Sequence, residues 1–113
     1  MNLEVMLAVH CINTENNSRG VFVLDGNIPV VKLDVGHPED TARGIIKDNF
    51  ELDPEWPTLI LCDFIVSEDS LYVLYTTLLP SYIKLNNGKW ETDFGELDEL
   101  AQEIIQETGT RIV

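Results

Sequence analysis

The stretch from Gly36 to Trp56, GHPEDTARGIIKDNFELDPEW, constrains the fold most. Pro38 suits a first helical position, and Glu39 and Asp40 follow where carboxylates favour the helix dipole. Ala42, Ile45, Ile46 and Phe50 recur at helical spacing. That spacing predicts a helix over 38–50 with one apolar face that must be buried. Asp53-Pro54 breaks it.

The rest of the chain supplies strands and one more helix. Leu3, Val5, Leu7 and Val9 alternate with Glu4, Met6, Ala8 and His10, and the second set is also partly apolar. Leu3 to Cys11 therefore reads as a central strand covered on both faces. The polar segment Asn13 to Gly20 reads as a hairpin loop, Val21 to Leu24 as the return strand, and Asp25-Gly26-Asn27 as a tight turn. Ile28 to Val35 carries Pro29, which places its start at an edge or a strand end. TLILCDFIV and LYVLYTTLL, joined by Ser67-Glu68-Asp69-Ser70, form the clearest hairpin. Tyr82 to Leu85 is a short extension whose apolar edge suits a homodimer contact, and Trp90 sits in a brief strand after Asn86-Asn87-Gly88. Leu97, Leu100, Ala101, Ile104 and Ile105 predict a last helix over 95–107, acidic on its other face and capped by Gly109. Arg111-Ile112-Val113 follows as a short strand or a tail. The order predicts one α+β domain over the 113 residues, with a mixed sheet flanked by helices on both faces.

Charge narrows the partners. With 20 acids against 7 bases the net charge is −13. That excludes direct binding to nucleic-acid phosphates, which depends on clustered Lys and Arg. It leaves a solvated acidic surface, or an acidic patch that attracts a basic partner. Cys11 and Cys62 each fall in a strand-like apolar run, which points to buried free thiols rather than a redox pair. Met1 to His10 contains Glu4 and lacks a basic start, so a cytoplasmic protein is expected. No apolar run approaches the roughly 20 residues that span a membrane.

The layout, with its loop and helix after the third strand, resembles a small Nudix domain. That family carries GE-x-x-x-x-AA-x-RE-L-x-EE-x-G-L, and here Gly36, Thr41-Ala42, Ile46, Asp48 and Leu52 fall near its positions. Asp53-Pro54-Glu55-Trp56, the two long strands, and Trp90 shortly before Gly95-Glu96-Leu97-Asp98-Glu99-Leu100 are also similar. The resemblance implies an α/β/α sandwich and hydrolysis of a nucleoside diphosphate derivative with Mg²⁺ or Mn²⁺ held by glutamates of that helix. This sequence departs from the pattern. His37 stands for the first glutamate, Gly44 for the arginine, Ile45 for its paired glutamate, Asp48 and Asn49 for the later glutamates, and Glu51 for the glycine. A divalent ion needs several oxygens converging on one face. The expectation is thus a domain that has lost this reaction, needs no cofactor, and binds a nucleotide or a protein.

Two further readings stand beside that one. A divergent hydrolase would draw its acids from elsewhere, with His37, Asp48 and Asp63 as catalytic candidates and Asp34 and Asp48 as Mg²⁺ or Mn²⁺ ligands. In the Nudix fold the strand carrying Asp63 borders the substrate cleft, whereas the bland reading makes Asp63 solvent-facing or structurally paired. Asp40 and Asp48 are about 12 Å apart along a helix axis, too far to share an ion. Charge and size alone suggest a third reading, an inhibitor of a nucleic-acid-binding protein. His10 reads as a hydrogen-bonded core residue and His37 as a helix cap or loop residue. Trp56, Tyr72, Tyr75, Tyr82 and Trp90 read mostly as sheet packing, with stacking on a base as the alternative.

Overall fold

The computed structural model describes residues 2–112. In chain order the elements are β1 (Asn2–Asn13), β2 (Ser18–Val23), β3 (Val30–Lys32), α1 (Pro38–Asn49), β4 (Ile60–Val66), β5 (Ser70–Leu79), β6 (Lys89–Glu91) and α2 (Glu99–Arg111), with one 3-10 turn over Phe94–Glu96. Strand β1 is the centre of a six-stranded mixed sheet. It runs parallel to β5 from Asn2↔Ser70 to Cys11↔Leu79, which fills one of its edges. Strands β2 and β3, both antiparallel, share the other edge end to end. Strand β4 closes one side of the sheet against β5, and β6 closes the other against β2.

Because side chains alternate along β1, each face receives its own helix. Val5, Leu7 and Val9 meet Ala42, Ile45 and Ile46 of α1, with Phe22, Phe50, Val73 and Tyr75 around them. Met6 and Ala8 meet Ala101, Ile104 and Ile105 of α2, with Val21, Val23 and Leu74. Burying an isoleucine stabilises by about 1.5–3 kcal/mol. That outweighs its helix penalty of roughly 0.7 kcal/mol or less. Packing therefore decides that Ile45-Ile46 is helical. At one end Phe22, Phe50, Tyr82 and Trp90 stack at tilted angles, with Phe22 and Phe50 centroids 4.6 Å apart. The turn at Asp25-Gly26 has positive φ at both central residues (52° and 80°) and joins Leu24 to Asn27, as a tight right-twisted hairpin requires. Among the described residues no helix is long and apolar enough to cross a membrane.

The structure corrects several expectations. The third strand is only Val30–Lys32, not 28–35. The last helix starts at Glu99, capped by Asp98, whose carboxylate accepts from the Ala101 N–H at 2.8 Å; Gly95 belongs to the preceding 3-10 turn. Gly109 is not its cap, because the helix continues through Arg111, so of the two readings of Arg111-Ile112-Val113, strand or tail, neither holds for Arg111; Val113 lies outside the described residues. Tyr82 to Leu85 is not a free apolar edge. Tyr82 and Ile83 are half-buried, the Trp90 indole donates to the Ile83 carbonyl at 2.9 Å, and Leu85 bridges to Phe50.

Candidate functional site

Begin with α1 and its approach. His37 is the N-cap: its Nδ1 accepts from the Glu39 N–H at 3.1 Å while its backbone stays extended. That bond occupies one ring nitrogen and leaves Nε2 exposed to solvent. Ile45 and Ile46, 3% and 1% exposed, are core residues with no room for charge. Asp48 is exposed on the last turn, where its backbone carbonyl accepts from the Asn87 amide at 3.0 Å. Asp34 is exposed in the loop after β3.

Arg43, which the sequence reading passed over, is the most engaged polar side chain of α1. Its Nε lies 3.4 Å from Glu39 and 3.7 Å from Glu55, and Nη1 donates at 2.9 Å to both the Pro54 and Pro57 carbonyls. A planar fork is the shape that can reach two carbonyls and two carboxylates at once. The arginine thus ties the loop after α1 back onto the helix, one residue before the position that Gly44 occupies in the motif.

Asp63 is taken away from α1 by a β-bulge. The register passes from Leu61↔Tyr75 to Asp63↔Leu74, so Cys62 is the extra residue. Tyr75 packs on the α1 side and Leu74 on the α2 side. The bulge therefore turns Asp63, which simple alternation would aim toward α1, toward α2. There it hydrogen-bonds Glu107, which lifts the Glu107 carboxyl above its ordinary value. Asp63 is held low by that same bond, by the Phe64 N–H at 2.8 Å, and by Arg111. Asp48 and Asp63 thus lie on opposite sides of the sheet. Among the described residues no three His, Cys, Asp or Glu side chains are grouped to hold a metal ion.

Two open cavities lie between the sheet and α2. One, of about 520 Å³, is lined by Glu4, Met6, Asn27, Tyr72, Asp98 and Leu100. The other, of about 640 Å³, contains His10 and Arg19. His10 is fully buried and its Nε2 lies 2.7 Å from the Thr108 hydroxyl. That hydroxyl donates to the Ile104 carbonyl at 2.7 Å, so it accepts from His10 and fixes the Nε2–H tautomer. Burial, and then the Arg19 charge, push the imidazole down to about 4. Burial also pushes the Cys11 thiol up to about 11, and Cys62 is likewise raised; both are free and buried. Neither Arg19 nor Thr108 carried a sequence signal, because what places them here is pairing between distant segments.

On the α1 side, the edge strand β4 exposes an apolar row. Leu61, Phe64 and Val66 are 46%, 57% and 70% exposed. They stand opposite Tyr75, Val73 and Leu71, on the part of the sheet beyond α1. Of the aromatics, Tyr75 is buried, the half-buried Tyr82 and Trp90 stack on each other, and Trp56 is exposed.

No family description matches this sequence, and no curated protein matches it. Solved structures do. The chain is similar to the C-terminal domain of mouse MUTYH in its complex with human PCNA, with 11% identity, TM-score 0.78, and 98% of this chain and 89% of that one covered. It is similar to the E. coli dihydroneopterin triphosphate pyrophosphohydrolase, at 14% identity and TM-score 0.67, over 92% of both chains. It is also similar to a MutT/nudix family protein from Enterococcus faecalis, at 14% identity and TM-score 0.62, covering 79% of this chain and 42% of that longer one. At these identities the likeness is one of architecture. The chain has a Nudix-like fold, a mixed sheet held between two helices.

Proposed function

We propose that this domain acts by binding rather than by metal-dependent hydrolysis, and that it binds a protein through the β4 edge. The observation that carries this reading is the row Leu61, Phe64 and Val66, exposed on a strand that among the described residues pairs only with β5. An uncovered apolar edge of this kind invites strand addition by another chain. Glu68 and Asp69 follow the row in the β4–β5 turn, and the Tyr75 hydroxyl is raised first by burial and then by the nearby Glu39 and Asp40 charges. The partner is therefore an extended basic segment with apolar anchors. Two things support binding over chemistry: Ile45 and Ile46 fill motif positions with core side chains, and Asp34, Asp48 and Asp63 do not converge. That a domain of similar architecture was solved with a protein partner supports the choice of a protein.

A synthetic strand peptide alternating lysine and leucine is the probe. Its addition should perturb the amide resonances of β4, with affinity falling as salt rises, because exposed charges are screened over about 8–10 Å at physiological ionic strength. Phe64→Glu should abolish the effect without lowering Tm. Binding that ignores Phe64→Glu overturns the β4 reading. Turnover of a nucleoside diphosphate derivative with Mg²⁺ or Mn²⁺, lost in Asp48→Ala, overturns the non-catalytic reading instead.

A further inference from the structure

Helix α2 leaves one corner of its side of the sheet uncovered. Asp98, its cap, lines a cavity with Asp25 of the turn after β2, while Glu107 near its end reaches Asp63 on β4, so the helix crosses the sheet obliquely. The corner it misses is the groove of about 520 Å³. Glu4 and Met6 alternate onto this side of β1, and their partners in the neighbouring strands, Tyr72 and Val30, share it. Met6 and Ile28, 4% and 5% exposed, form the floor. Val30 of β3 and Leu100 of α2 border it at 41% and 53% exposed, and Tyr72 adds an aromatic wall. Single exposed apolar side chains are ordinary, but here two converge with an aromatic ring on a buried apolar floor, in a concavity large enough for a small molecule. Its charge is one-signed. Glu4, Asp25 and Asp98 ring the groove, and among the described residues no lysine or arginine lines it. Lys32 stands opposite Glu4 in the β1–β3 pair but makes no ion pair among the described residues. The roughly half positive charge of the α2 N-terminus is outweighed by Asp98 and Glu99.

We infer that this groove binds a small amphipathic cation, an apolar body ending in a protonated amine. The body lies against Met6, Val30, Tyr72 and Leu100, and the ammonium sits among Glu4, Asp25 and Asp98. Burial of the apolar body drives association, and the carboxylates select its charge. An anion of the same shape is repelled, and a neutral one gains nothing from the three acids. The inference is independent of the proposed β4 contact, because the groove opens on the α2 side of the sheet and the row Leu61, Phe64 and Val66 faces the α1 side.

Phenethylamine is the probe. 2-Phenylethanol is its neutral counterpart, phenylacetate its anionic one, and methylamine keeps the charge without the ring. In a ¹⁵N-labelled sample of the full chain, phenethylamine should saturably move the amides of Val30, Tyr72, Leu100 and Ala101. The alcohol and methylamine should each bind about ten-fold more weakly or worse, and phenylacetate should leave these amides unmoved. Glu4→Gln keeps the side-chain shape, and Asp25→Asn keeps a residue that tolerates the positive φ of 52° there. Combined, they should weaken the amine about ten-fold and leave the alcohol unchanged. Leu100→Ser, at an exposed helix position, should weaken both with the remaining spectrum intact. The inference is overturned by no saturable response to phenethylamine, by equal responses to amine and alcohol, or by an amine response that ignores the paired variant. It is equally overturned if methylamine acts as strongly, which would reduce the effect to the acidic surface, or if the groove amides shift on dilution alone, which would mean that a second copy of the chain fills it.

Discussion

The His10 imidazole on β1 and the Thr108 hydroxyl on α2 meet at 2.7 Å, both fully buried, and the hydroxyl in turn donates a hydrogen bond to the Ile104 carbonyl. This relay fastens the far end of α2 to the central strand. Thr108→Val keeps the shape but strands the His10 Nε2–H without an acceptor. It should destabilise the protein by about 1–3 kcal/mol, and Thr108→Ser, which keeps the hydroxyl, by less. Denaturant melts of the three proteins measure the difference.

His10 also sets a pH dependence. Its folded value is about 4 against 6.5 for the free side chain. Between those values the unfolded chain binds the extra proton and the folded one does not, so stability rises with pH across that window. The contribution is complete above about pH 6.5 and is lost as pH falls toward 4. At 1.36 kcal/mol per unit it amounts to roughly 3 kcal/mol. Melts between pH 7 and pH 4 should show this slope, and His10→Gln should flatten it.

Two glycines should respond in opposite directions to alanine. Gly44 lies in mid-helix on α1, and a Cβ there would meet nothing within 4 Å. Gly44→Ala should stabilise by about 0.5–1 kcal/mol. Gly88 has φ of 74°, and its Cβ would sit 2.5 Å from the Val23 carbonyl oxygen and 2.7 Å from the Phe22 ring. Gly88→Ala should lower Tm sharply, because backbone and a fully buried ring must both move. Calorimetry on the pair checks both signs.

The Asp63–Glu107 bond predicts a coupled titration. Glu107 keeps its proton to a higher pH than a free glutamate because it donates that proton to Asp63. Asp63→Ala should bring Glu107 back down, followed by carboxyl ¹³C resonances against pH. On stability the two groups act oppositely. The raised Glu107 favours the fold at low pH and loses its effect as pH rises through its folded value, while the lowered Asp63 favours it above its ordinary value.

Much of this architecture was legible in the sequence because it follows from alternation and helical spacing. The two-sided burial of β1, the β4–β5 hairpin and the buried face of α1 all reduce to which residues are apolar. His10 and both cysteines proved to be buried, as strand positions implied. What alternation misses is an interruption of itself. The extra residue at Cys62 reverses Asp63 from one side of the sheet to the other, and nothing in TLILCDFIV marks it. Gly109 misled for a related reason. Glycine usually ends a helix, but here α2 runs on past it through Arg111. The His10–Arg19–Thr108 cluster joins segments almost a hundred residues apart, so no local pattern could announce it.

The parallel pairing of β1 with β5 has a consequence for how the molecule is made. β1 is synthesised well before β5, yet one whole edge of it waits for that strand, which begins at Ser70. Closing so long a loop precedes any reward from the contacts it brings, which slows folding and prolongs exposure of an apolar strand. A nascent chain halted before Leu79 would present β1 as an open template for foreign strands. The centre of the native sheet is thus the growing chain's most vulnerable surface.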